Sequence, residues 1–267
     1  MSIKQQFRTV WISDIHLGSR DCKAEYLLDF LQNSQIETLY LVGDIVDMWA
    51  LSKQFMWPKA HNELFHFILE LSHGNTKVIY LPGNHDEPAQ KYDGMEFGDV
   101  EIHREYIHTT ADGKKLLLLH GDVFDGQVCF GRLTAWIGDK GYELLLFLNR
   151  WYNRFRAWFG KPYWSLAGYL KSRISGANMA IQRYREACTD KAREMGLDGV
   201  VCGHIHHPEV VDVDGVTYYN DGDWIENCSA LTEDAKGNIQ LIYWTHISTQ
   251  AKVHTLHEVT SGAQEAA

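Results

Sequence analysis

The chain has 267 residues, 45% hydrophobic and 22% charged, an ordinary globular composition with ample material for a large core. A formal net charge of −10 argues against binding nucleic acid through a broad basic surface. No run approaches the roughly 18 apolar residues of a membrane span, and none of signal-peptide length precedes the first motif.

Residues 7–13 (FRTVWIS) read as a strand, and 22–34 (CKAEYLLDFLQNS) as a helix, from apolar spacing at Tyr26, Leu27, Phe30 and Leu31. A strand at 38–43, a helix at 61–73 and a strand at 77–83 follow. This β-α-β-α-β order predicts parallel strands with helical crossovers. From about residue 99 short strands take over (DVEI, YIHTT, KKLLLLH), with ADGKK as a hairpin turn. Residues 126–196 read as mainly helical. The strands DGVVCG, EVVDVDGVTYYN (turning at Asp214-Gly215), NCSAL and NIQLIYW come next, and the tail after about 246 is polar. The five cysteines show no CxxC spacing, which fits a reduced, cytosolic chain and disfavours a zinc–thiolate site. Two mixed sheets packed face to face with helices outside are therefore expected. They form one domain, 1–267, interrupted by a helical insertion at about 126–196.

Several strands end in groups that bind metals and move protons. VWISDIHLG closes on Asp14 and His16, LYLVGDIVD on Asp44, and KVIYLPGNHD on Asn84, His85 and Asp86. LLLLHGD closes on His120, and VVCGHIHHP on His204 and His206. Ligands in α/β sheets collect beyond the carboxyl ends of strands. The pairs Asp14/His16 and His204/His206 are two apart, so extended backbone would aim both members to one side. Each motif alone has an ordinary explanation, since DxH and Gly-Asp are common in surface turns. The set is informative because each member follows an aliphatic run. His61, His66, His73, His103 and His108 are scattered and receive no role. Oxygen and imidazole ligands without thiolate suit Mn²⁺, Fe²⁺ or Zn²⁺. Such a set, sharing one carboxylate, can hold two ions about 3.5–4 Å apart.

DxH (14–16), GD (43–44), GNHD (83–86), HGD (120–122) and GHxH (203–206) resemble the calcineurin-like metallophosphoesterases over roughly residues 7–245. The resemblance implies an α/β (α+β) fold, a four-layer α-β-β-α sandwich with a dinuclear centre, Mn²⁺ being the first choice of metal. It implies Asp14, His16, Asp44 and His206 around one ion. Around the other it implies Asp44 (bridging), Asn84, His120 and His204. His85 matches the family's catalytic histidine, with Asp86 to orient it and metal-bound hydroxide as nucleophile. Within the family, SDIHLGS, GDIVDMW and the helical insertion most resemble the UDP-2,3-diacylglucosamine pyrophosphatases of lipid A synthesis. That implies hydrolysis of UDP-2,3-diacylglucosamine to UMP and 2,3-diacylglucosamine 1-phosphate. It also implies a cytoplasmic enzyme peripheral to the inner membrane, with no obligatory protein partner. The best-known branch carries arginine where this chain has His85. That departure leaves open a divergent branch of the same activity or a relative with another substrate.

The insertion adds separate physical evidence. From Leu144 to Arg185 there is no acid but eight basic residues, so this stretch is +8 and the remainder −18. Ten aromatic residues are interleaved, among them Trp151, Trp158 and Trp164. Such a segment suits an anionic lipid surface or a pocket for acyl chains. Asp125, beside it, and Arg154 and Arg156, within it, are the candidate substrate contacts. An ordinary helical cap is the competing reading, and nucleic acid is opposed by the acidic body. A soluble phosphodiesterase or phosphatase of the same fold is the alternative activity. A non-enzymatic binding platform is disfavoured because every ligand position is filled.

Overall fold

The computed structural model describes residues 4–128, 147–156, 158–161, 163–165 and 175–245. The first half contains β1 (Gln5–Ile12), α1 (Ala24–Gln32), β2 (Ser34–Leu41), α2 (Met48–Lys53), α3 (Lys59–Ser72), β3 (Lys77–Tyr80), β4 (Glu96–Phe97) and β5 (Val100–Ile102). Next come β6 (Tyr106–Thr109), β7 (Lys115–Leu118), α4 (Asp125–Val128), a helical stretch over 147–156 and α5 (Ser175–Glu194). The chain continues with β8 (Gly199–Cys202), β9 (Glu209–Val213), β10 (Val216–Asn220), β11 (Ser229–Glu233) and β12 (Ile239–Tyr243). A seven-stranded sheet runs β12-β11-β1-β2-β3-β5-β4, and a five-stranded sheet runs β6-β7-β8-β10-β9.

Alternation along the strands creates the layers. Successive side chains leave a strand on opposite faces, so a strand buried on both faces needs cover on each. Val10, Ile12, Leu39, Leu41 and Val78 face outward onto Leu27, Phe30 and Leu31 of α1 and Leu64 and Ile68 of α3. Trp11, Tyr40, Val42, Ile79 and Leu81 face inward and meet Leu116, Leu118, Val201 and Tyr219 of the second sheet. On that sheet's far side Leu117, Val200, Cys202 and Tyr218 pack on Tyr184, Cys188 and Ala192 of α5. These clusters separate four layers, α-β-β-α.

A buried polar network also joins the sheets. Arg8 Nη1 donates to both Glu233 carboxylate oxygens at 2.7 and 2.8 Å, and the Ala111 amide donates at 2.7 Å. His108 Nε2 lies 3.1 Å from Glu233, while its Nδ1 lies 3.1 Å from the Tyr40 hydroxyl. His108, scattered in the sequence, is thus a structural link between β6 and β11.

Some boundaries differ from the expected ones. The helix expected over 22–34 stops at Gln32, because β2 begins at Ser34 and pairs in parallel with β1 from Gln5↔Ser34 to Ile12↔Leu41. The short α2 was not legible; Asp47 caps it by accepting from the Ala50 amide at 2.8 Å. Within the stretch expected to be an insertion, α5 is the outer layer of the second sheet, not an addition to it. Tyr184 lies in its core, and Arg185 is held by Glu209 at 2.7 and 2.8 Å. Residues 129–146 and 166–174 of that stretch, and the tail after 246, lie outside the described residues.

Candidate metal centre

Parallel pairing puts the carboxyl ends of β1, β2 and β3 side by side in one sheet, and those of β7, β8 and β10 side by side in the other. The expected i,i+2 pairs do converge, but not on extended backbone. Asp14 (φ 50°), His16 (53°), Asp44 (55°), His204 (69°) and His206 (51°) all lie in the left-handed region. Among the described residues only Asp214 and Cys228 share that backbone without being glycine. Each such residue costs roughly 1–3 kcal/mol and persists only where surroundings hold it. Here the tips hold one another: the Asp14 amide donates to Gly43 O at 3.0 Å, and the His16 amide to Asp44 O at 2.9 Å.

Two glycines make room for the carboxylates. A Cβ on Gly83 would stand 2.4 Å from Asp44 Oδ1, and one on Gly203 would stand 2.4 Å from Asp14 Oδ2. Those side chains are buried and face one another across short gaps. Asp44 Oδ2 is 3.4 Å from His120 Nε2, 3.7 Å from His16 Nε2 and 4.0 Å from His85 Nε2. Asp14 Oδ1 is 3.1 Å from His206 Nε2 and 3.7 Å from His16 Nε2. The groups Asp14/His16/His206 and Asp14/Asp44/His120 each bring their ligand atoms within 4.8 Å of one another.

The fit to a metal shows in which atoms lack partners. Buried polar groups are normally hydrogen-bonded. Asp14 Oδ1, His16 Nε2, Asn84 Oδ1 and His120 Nε2 are buried without any hydrogen bond. Their other ends are anchored: His120 Nδ1 donates to Val42 O at 2.9 Å, and His16 Nδ1 lies 3.2 Å from Asp47 Oδ2. A histidine tethered at one nitrogen presents the other as a ligand. Oxygen and imidazole donors of this kind suit divalent cations.

Protons now balance the charge. Burial alone would raise the Asp14 carboxyl, but His206 and His16 outweigh it and hold it well below the usual range. Burial alone would lower His16, yet Asp14, Asp47 and Asp44 push it up to about 10. Burial likewise opposes His120, which Asp44 and Asp14 hold well above its ordinary value. A bound cation would displace these protons.

The remaining expected residues fall in distinct places. His85 Nδ1 is 3.0 Å from Asp47 Oδ1, so Asp47, not Asp86, orients it. Asp86 is turned away and organises backbone, accepting from the amides of Gly83, Asp44 and Ile45. His204 Nε2 lies 2.7 Å from Asp125 Oδ1, which brings Asp125 to the rim of the centre. Arg154 and Arg156 are not among the side chains lining the cavity beside His85; Arg150 is.

Two contributors had no assigned role in the sequence reading. Asp47 stood in the quoted GDIVDMW without one. Asp221 follows β10 as the other acids follow their strands, in YYNDGDW, so its signal was available. Ser13 Oγ lies 2.6 Å from both Asp14 Oδ2 and Asp221 Oδ1. One hydroxyl proton cannot serve both carboxylates. Burial and the neighbouring Asp14 push the Asp221 carboxyl well above its ordinary range.

Comparison with known proteins bears on this arrangement. A protein named UDP-2,3-diacylglucosamine hydrolase, from Haemophilus influenzae (strain PittGG), is 26% identical over 249 residues, 87% of this chain and 97% of its own. One of the same name from Psychromonas ingrahamii is 23% identical, covering 88% of this chain and 96% of its own. The structure of wild-type Vps29 with zinc from Entamoeba histolytica covers 93% of this chain and 97% of its own, at TM-score 0.46 and 14% identity. The calcineurin-like phosphoesterase family matches residues 7–208, which include Asp14, His16, Asp44, Asn84, His120, His204 and His206. With ligand atoms poised around Asp44 and that match across most of its length, the chain belongs to the calcineurin-like phosphoesterases and is a hydrolase.

Proposed function

We propose that the enzyme hydrolyses the pyrophosphate of UDP-2,3-diacylglucosamine, releasing UMP and 2,3-diacylglucosamine 1-phosphate, while attached to the cytoplasmic face of a membrane. Both relatives described above carry that substrate in their names. Asp14, His16, Asp44 and His206 would hold one cation, and Asp44, Asn84, His120 and His204 a second, with Mn²⁺ the preferred ion. Bound there, the cations would lower the pKa of water and neutralise phosphate charge. His85, tethered by Asp47 and with Nε2 facing Asp44, would give a proton to the leaving oxygen.

The observation that carries the lipid half of this reading is the helical stretch 147–156. Its polar face points inward: Asn149 is buried and donates to the Tyr163 hydroxyl, and Asn153 donates to Trp164 O. Its apolar face points outward, with Trp151 64% and Phe155 58% exposed, and Trp158 beyond it 82% exposed. A helix facing water normally shows the reverse. Outward aromatics among arginines fit an anionic lipid interface. No described helix is long and apolar enough to cross a membrane, so attachment would be peripheral.

The test is turnover by purified, Mn²⁺-loaded protein of UDP-2,3-diacylglucosamine beside bis-p-nitrophenyl phosphate. Hydrolysis of the glycolipid, lost in chelator and restored by Mn²⁺, is expected. Hydrolysis of the small diester alone would replace the glycolipid reading with a soluble phosphodiesterase.

A further inference from the structure

A cavity of about 540 Å³ opens directly beside the metal centre. His85 and Asp47 form its floor, and Trp49, Arg20, Lys53 and Arg150 stand among its walls. A molecule filling it would reach His85, whose Nε2 is 4.0 Å from the central carboxylate of Asp44. Asp47 is occupied with His16 and His85, and the one other acid, Asp21, is occupied with Arg150 at 2.5 Å. Arg20 meets only the neutral Gln54 side chain, at 3.1 Å. Among the described residues neither Arg20 nor Lys53 has an ion-pair partner. In a protein of net charge −10, cations are thus concentrated at the mouth of the site.

A second cavity, of about 480 Å³, flanks the centre on the His120 side. It sets Asp93 and Asp122 against a single arginine, Arg104, while Glu105 is paired with Lys191. An anion would be repelled there and drawn to the first cavity.

Resting on the pyrophosphatase reading, we propose that Arg20, Lys53 and Arg150 form a phosphomonoester subsite. It takes the phosphate of the pyrophosphate that is not attacked. Water adds its oxygen to the other phosphorus, and the bond from that phosphorus to the bridging oxygen breaks. The electron pair stays on the bridging oxygen, which takes a proton from His85 as the departing group leaves as a phosphomonoester; the protons lost by the water restore His85 and pass to buffer. Fixed cations beside that oxygen stabilise the charge as it develops. The departing phosphate belongs to either the nucleotide or the sugar, and both carry the same group.

The experiment is calorimetric titration of Mn²⁺-loaded protein with UMP and, separately, with 2,3-diacylglucosamine 1-phosphate. Lys53→Ala, Arg20→Ala and the double variant are compared with wild type. Both side chains are exposed, and an unchanged Tm checks the fold. The control is Lys236→Ala, in the turn between β11 and β12. We expect the Kd of one of the two ligands to rise by about tenfold per charge removed, the size of a charge-assisted contact, with Lys236→Ala unchanged. A rise for UMP places the nucleotide phosphate in the cavity, and a rise for the sugar phosphate places the other half there. Equal affinities across wild type and variants for both ligands overturn the subsite, even if the glycolipid is hydrolysed. A Lys53-dependent phosphomonoester affinity in a protein that leaves the glycolipid intact keeps the subsite and discards the glycolipid.

Discussion

Asp44 lies within 4.0 Å of nitrogens on His16, His85 and His120, so removal of this proposed shared ligand would weaken both cation positions at once. Asp44→Ala should abolish turnover and lower bound metal below that of His16→Ala, as read by elemental analysis. His85→Ala should lower kcat by about 10²–10⁴-fold with metal content near wild type. Loss of a metal equivalent would instead make His85 a ligand. Asp47→Asn should weaken metal binding by roughly 10–100-fold, because it loosens His16, and lower kcat as well through His85. A mutant that loses only one of these would separate the two tethers. The ligand types were legible in the chain because each follows a strand, and position in a parallel sheet does the rest. Their tethers were not legible. Asp47 and His85 are 38 positions apart, and only the juxtaposition of β2 and β3 brings them together. Asp86 misled for the same reason: adjacency in sequence suggested a partner that its side chain turns away from.

At the scale of elements, the helical stretch 147–156 makes the sharpest demand. If it lies on lipid, reversing Arg154 and Arg156 to Glu removes two attractions of about 1 kcal/mol each and adds repulsion. Partitioning onto anionic vesicles should fall by at least roughly thirtyfold. The wild-type affinity itself should weaken steeply with salt. Sedimentation with anionic and zwitterionic vesicles checks both. Strong binding to neutral vesicles would point to the aromatic face alone. The strands and α1 and α3 were legible because their apolar periods are clean. The start of β2 was not, because Ser34-Gln35-Ile36-Glu37 alternates too briefly to outweigh the helix before it. The true standing of α5 was hidden as well. It adjoins a stretch whose sequence also reads as helical, and its place on the second sheet depends on Tyr184, Cys188 and Ala192 meeting strands distant in sequence.

For the molecule as a whole, two sets of charges govern stability against pH. Burial alone would raise Glu233, but His108, Thr9 and the Ala111 amide hold it at about 2, against an ordinary 4.5. A depressed carboxyl stabilises above its unfolded value, so this contribution is present above pH 4.5 and lost as pH falls toward 2. Glu233→Gln should flatten the acid limb of urea-unfolding curves recorded between those limits. His16 acts in the opposite sense in metal-stripped protein. Raised from 6.5 to about 10, it stabilises fully below 6.5 and progressively less as pH climbs to 10. Metal loading at neutral pH should therefore release protons, visible as a calorimetric enthalpy that depends on the buffer's ionisation heat. The order of strands adds one more consequence. The first sheet uses residues 5–102 and 229–243, and the second uses 106–220, so the polypeptide crosses between them once in each direction. Each sheet has its own helix-covered core, and the ligands are divided between the two halves. On the proposed ligand assignment, no ion would find its full set until the halves have docked, which would make the metal a late fastener and not a nucleus. Chelation should then unclasp the tips first: in hydrogen exchange, the amides of 13–17, 42–46 and 203–206 should quicken well before those of β1, β2 or β8.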